Sequence, residues 1–126
     1  APEGTFVAKE DPFDLPRTVV VPDVLVLKGD LWSYDELNPS TALLAIEVEM
    51  DADRHTLARK ASLYAEAEIP EYLLVDVARS RVIQFRDPEW DGYRTRTEYR
   101  VGEFLTILGR TLDARVFLAP QPEDLL

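Results

Sequence analysis

The 126-residue chain is 46% hydrophobic and 30% charged, the balance of one folded domain with a core and not of a disordered tract. Its 14 basic and 24 acidic residues leave a net charge of −10, so the sequence advertises no broad basic face for long duplex, and its carboxylates suit metal ligation and a solvated surface. The absence of cysteine excludes disulfides and thiolate metal sites, and no apolar run approaches the roughly 20 residues of a membrane span.

These features suit a cytoplasmic protein without a membrane partner. The first residue is Ala1 and the single methionine is Met50, which reads as a processed or truncated piece of a longer product.

Residues 5–9 are β-prone and lead into DPFDLP, a turn. From Val19 to Leu27 the chain is β-branched or leucine apart from Pro22 and Asp23, which predicts one strand buried on both faces and ended by Gly29-Asp30. Residues 31–40 read as a loop. TALLAIEVE, residues 41–49, is the next strand.

The spacing predicts a helix over 54–68, with Asp51 or Asp53 as N-cap and Ile69-Pro70 as its stop. EYLLVDV (71–77) and RVIQFRD (81–87) read as strands joined by a short turn. Asp91-Gly92 signals another turn, and YRTRTEYRV (93–101) alternates as a half-exposed strand. FLTILGRTLDARVFL (104–118) fits short strands as well as a terminal helix, and 119–126 read as a tail. Strands, one clear helix and more strands predict a single α/β (α+β) domain on a mixed sheet. Five unclustered glycines provide no phosphate-cradling loop.

Four positions violate this pattern. Alternation along 19–27 puts Asp23 on the same face as Val19, Val21, Leu25 and Leu27. Alternation along 43–49 puts Glu47 and Glu49 on one side, with Leu44, Ile46 and Val48 on the other. On the helix, at about 100° per residue, Lys60 falls inside the apolar arc near Tyr64, whereas Arg59, Ser62 and Glu66 form the solvated face. A desolvated carboxylate costs several kcal/mol unless compensated, so acids on neighbouring strands favour a shared divalent cation. Structural alternatives stand beside this: Asp23 at a bulge, the glutamates at a solvated strand end, and Lys60 in a structural salt bridge.

VPDV, AIEVE and ARKASLYAEAEIPEYLLVD resemble the putative restriction endonuclease family of the PD-(D/E)XK restriction-endonuclease-like superfamily, a bacterial domain of unknown function. The resemblance runs from about Pro2 to Phe117. It implies a restriction-endonuclease-like core with a helix packed after the acidic strand, and an amino-terminal portion beyond this chain. By this resemblance Asp23 and Glu47 are metal ligands, Glu49 stands where many superfamily members carry lysine, and Lys60 is the lysine supplied from the following helix. Met50, Thr56, Glu68 and Leu73 stand where the family commonly has serine, aspartate, glycine and tryptophan.

The implied function is metal-dependent hydrolysis of DNA phosphodiesters. Oxygen-only ligands favour Mg²⁺ or Mn²⁺, held by Asp23, Glu47 and the Val48 backbone carbonyl. In such a site Lys60 orients the attacking hydroxide or offsets phosphate charge, and Glu49 is general base or second-metal ligand. DNA is then the partner, and a homodimer is left open. A catalytically inactive nuclease-fold protein used for dimerisation or protein binding is the alternative.

His55 reads as solvated at the helix start, and Asp76 as a turn or cap residue. Trp32, Tyr34, Trp90 and Tyr93 suit packing more than base stacking. Arg79, Arg81, Arg86, Arg94, Arg96 and Arg100 are a local basic enrichment, read as a hairpin with cross-strand ion pairs or as phosphate contacts.

Overall fold

The computed structural model describes residues 42–118, together with the backbone course of four earlier strands. These are β1 (Thr5–Lys9), β2 (Phe13–Asp14), β3 (Val19–Val20) and β4 (Val24–Lys28). Beyond them lie β5 (Leu44–Glu49), α1 (Arg54–Glu66), β6 (Glu71–Asp76), β7 (Arg81–Glu89), β8 (Gly92–Tyr99), β9 (Phe104–Ile107) and β10 (Arg110–Asp113). A 3₁₀ turn at Ala114–Val116 follows. The main sheet has the order β1-β4-β5-β6-β7-β8, antiparallel except between β5 and β6. A parallel pair cannot be closed by a tight turn, and α1 supplies the crossover. The mixed sheet read from the sequence is the one observed.

The unbroken strand expected from Val19 to Leu27 is two strands. β3 pairs with β2 in a separate two-stranded sheet, while β4 pairs with β1 and β5. Pro22 falls between them in sequence, and a residue without an amide hydrogen cannot carry a ladder bond. Alternation therefore cannot be counted through from Val19, and Asp23 lies outside the described residues.

Residues 44–46 of β5 and 72–75 of β6 are apolar and buried because both faces of the sheet are covered there. On one face Ala45, Tyr72, Leu74, Ile83 and Phe85 pack with Leu57, Ala61 and Tyr64 of α1. On the other, Leu44, Ile46, Leu73, Val75 and Val82 pack with Leu105, Ile107 and Ala114. The ambiguous segment 104–118 is thus a hairpin with a 3₁₀ turn, not a terminal helix. Its two-residue turn needs positive φ at both positions, met by Leu108 (48°) and Gly109 (78°). Gln84 Nε2 donates to the Thr106 carbonyl at 2.9 Å, and the Arg86 guanidinium donates to the same oxygen, tying hairpin to sheet.

α1 buries Leu57, Ala61, Tyr64 and Ala65, a stripe at helical spacing. Of the two N-cap candidates, Asp53 serves: its Oδ1 accepts from the Thr56 amide at 2.8 Å. The helix stops two residues before the predicted end. Glu68 N–H donates to Ala65 O (2.9 Å) and Ile69 N–H to Tyr64 O (3.2 Å), with Ile69 and Tyr64 both buried. That is a Schellman closure, which places Glu68 in left-handed backbone at φ 60°. The family pattern's glycine at this position has the physical reason that a Cβ there is strained. Glu68 is exposed and closes the helix through its backbone. Replacing it in Glu68→Gly is therefore expected to stabilise the fold by roughly 1 kcal/mol, read as a higher urea midpoint at unchanged m-value.

Candidate functional site

The carboxyl end of β5 carries the acids. Glu47 and Glu49 alternate with Val48 and so share the α1 face, where Ala45 packs one pleat earlier. Glu47 is 6% exposed, and the Glu49 side chain is about a quarter exposed, so the pair runs from the core to the rim. From α1 the Lys60 ammonium reaches both: 2.8 Å to Glu47 Oε2 and 3.5 Å to Glu49 Oε1. Val48 turns its side chain to the opposite face and is exposed. The structure thus brings Glu47, Glu49 and Lys60 together. Asp23 is outside the described residues, and among the described residues no three carboxylates or histidines gather to hold a metal.

Behind the acids stands an aromatic wall. Tyr72 stacks on Tyr64 (4.6 Å between centroids) and on Phe85 (5.4 Å). Its phenol is pushed well above the usual tyrosine range, by burial first and then by the charge of Glu47. Tyr93, which the sequence suits to packing, does pack: its hydroxyl donates to the Ile69 carbonyl at 2.7 Å. Trp90 is exposed, and Trp32 and Tyr34 lie outside the described residues. His55 is exposed at the helix start.

A second set of charges positions the first. Asp76, opposite Glu49 in the β5–β6 register, is fully buried. It accepts from Arg81 Nε at 2.8 Å, from Arg79 Nη1 at 3.2 Å and from the Ala52 amide at 3.4 Å. Arg79 Nη1 also reaches Asp51 at 2.7 Å and the Ala52 carbonyl at 3.3 Å. Asp51 and Ala52 form the link between β5 and α1, so this network fixes where α1 begins and hence where Lys60 stands.

Backbone bonds from Val77 to the Glu49 carbonyl and from Ala78 to the Met50 carbonyl, both 2.9 Å, hold the same edge. Asp76 is thus a buried tertiary anchor for two guanidiniums and a distant amide, not the turn or cap residue that its place at a strand end suggests. Most of the basic enrichment is indeed in ion pairs: Arg81–Glu98, Arg86–Glu71, Arg94–Glu89 and Arg100–Glu98 join Arg79–Asp76.

Burial pushes the Asp76 carboxyl up, but Arg81, the Ala52 amide and Arg79 outweigh it and hold the carboxyl below the ordinary aspartate value. A depressed folded-state pKa contributes stability that is present above the unfolded value, near pH 4, and lost as pH falls through the folded one. Asp76→Asn should therefore flatten the acid limb of stability below about pH 4. Asp76→Ala should cost about 2–3 kcal/mol at pH 7. Urea titrations across pH check both.

The fold is shared with a solved protein from Anabaena variabilis, titled a putative nuclease belonging to DUF820. Its TM-score is 0.66 at 14% identity, over 91% of this chain and 68% of that one. No curated protein matches the sequence. Residues 2–115 match the family model Uma2, described as Putative restriction endonuclease, and the chain belongs to that family.

Proposed function

We propose that this protein is a metal-dependent endonuclease acting on phosphodiester bonds of DNA, with its centre at the carboxyl end of β5. The observation that carries the reading is the Lys60 ammonium, sent inward from α1 to lie 2.8 Å from the nearly buried Glu47 and 3.5 Å from Glu49. A family of nuclease-like fold supplies the context.

The donor chemistry fits a hard cation: Glu47 and Glu49 offer carboxylate oxygens at one strand end, and among the described residues no histidine joins them. The third acid we assign is Asp23. It immediately precedes β4 in sequence, and Val24 of β4 pairs with Ile46, the residue before Glu47. Asp23, Glu47 and the Val48 backbone carbonyl are the proposed ligands of Mg²⁺ or Mn²⁺. When bound, such an ion supplies Lewis acidity toward a phosphoryl oxygen and toward water. The chain's own groups do the rest. Lys60 donates N–H to a phosphoryl oxygen and offsets the charge that develops there. Glu49, nearer solvent, accepts the proton of the attacking water.

A non-catalytic use of the fold has one observation in its favour: Lys60 already answers both glutamates as an ion pair. The two readings part on metal. Mn²⁺ calorimetry should show binding that Glu47→Gln and Asp23→Ala each remove, and the absence of any affinity would favour the binding module.

Cleavage of supercoiled, linear and single-stranded DNA with Mn²⁺, using the full-length product, tests the activity directly. Asp23→Ala and Lys60→Met should each lower the rate by on the order of 10²-fold or more. Because Lys60→Met also strands a desolvated Glu47, it should lose stability. The double variant Glu47→Gln/Lys60→Met should regain stability and remain inactive, which separates chemistry from folding. Cleavage that survives Asp23→Ala and Lys60→Met rejects the assignment.

A further inference from the structure

On the flank of α1 facing β7 and β8, away from the glutamates, lies a cleft of about 440 Å³. Leu57, Ala61 and Phe85 form its apolar base, and four arginines line it: Arg54, Arg79, Arg81 and Arg96. Among the described residues no acidic side chain lines it, although acids outnumber bases 24 to 14 in the chain. Four of the 14 basic residues therefore converge on one concavity, which cannot be ascribed to a generally basic surface.

The four are not equivalent. Arg79 is answered by Asp51 and Asp76, and Arg81 by Asp76 and Glu98. Arg54 and Arg96 have no carboxylate partner among the described residues. Arg96 is held over the Phe85 ring, its guanidinium carbon 6.0 Å from the centroid, which orients a planar fork without neutralising it. Arg54 opens α1, where the helix dipole adds positive potential.

Two uncommitted guanidiniums, backed by two committed ones in a nucleotide-sized cleft, are complementary to a phosphate group. We propose that this cleft binds a backbone phosphate of the DNA strand, away from the one being cleaved. This rests on the nuclease reading above. Lys60 lies on the same helix and does not line the cleft. A strand crossing α1 would then be gripped on one flank and cut on the other. The site would also explain how so acidic a chain retains a polyanion: the positive charge is concentrated locally.

The test compares the whole protein with Arg54→Gln/Arg96→Gln, and with Arg59→Gln/Arg110→Gln as a control of equal charge change. All four residues are exposed. Fluorescence anisotropy with a labelled 20-base-pair duplex, in Ca²⁺ and across a salt series, gives affinity and salt slope. Thermal shift with pyrophosphate reports anion binding without DNA.

We expect the cleft variant to lose at least tenfold in duplex affinity and about one unit of salt slope, as befits one phosphate contact. It should also lose the pyrophosphate shift, while the control stays near wild type. Equal losses in variant and control, or unchanged DNA affinity in the variant, overturn the proposal. So does loss of the pyrophosphate shift alone, which would mark a free-anion site off the DNA path. Absence of duplex binding by the wild type overturns it too. Failure of the nuclease reading is seen separately, as absence of Mn²⁺-dependent cleavage.

Discussion

Two glutamates on one face at the end of a core strand cannot be left uncompensated, and the Lys60 ammonium between them is the constraint around which the rest is arranged. Glu47 is nearly buried, so its charge is tolerable only with a cation at contact distance. That cation comes from a helix two turns past its own start, so the start must be placed accurately. Asp53 caps it, and the Asp76–Arg79–Arg81 network clamps the preceding link through Asp51 and Ala52. The far end is closed by Ile69 over Tyr64. Each of these holds α1 against the sheet and so holds the ammonium over the acids.

The two flanks of α1 consequently differ. Toward β5 the helix presents a lysine to carboxylates. Toward β7 and β8 it presents small residues, Ala58 and Ala61, which leave room for the arginine-lined cleft. Bulky side chains at those two positions would fill the space. The same sheet face therefore carries an acidic end and a basic hollow, separated by one helix, in a molecule whose overall charge is strongly negative.

Much of this could be read from residues. The period of α1 exposed Lys60 as misplaced, because a lysine in an apolar arc is rare enough to need a partner. Alternation in β5 put both glutamates toward that partner, and the pairing distances follow. Other features were hidden for identifiable reasons. A proline inside an apolar run did not outweigh seven β-branched or leucine residues in the reading, yet it separates β3 from β4. Residues 104–118 have no clean hydropathy period, since apolar Phe104 is exposed beside buried Leu105 and Ile107. Arg79 and Arg81 looked like surface charge because their counter-ion, Asp76, became buried only through the parallel pairing of β5 with β6. Tertiary contact made that link, and local pattern could not.

The carboxyl-terminal hairpin has a bearing beyond architecture. Leu105, Ile107 and Ala114 are the cover for Leu44, Ile46, Leu73, Val75 and Val82, and a shared carbonyl at Thr106 fastens that cover through Gln84 and Arg86. A chain ended before residue 104 would keep every site residue named above and still present a bare aliphatic sheet to water. Such a shortened product would self-associate through that surface. Active-site inventories alone are thus a poor guide to where this protein can be trimmed: a hairpin that holds none of the acids is what keeps its middle strands dry.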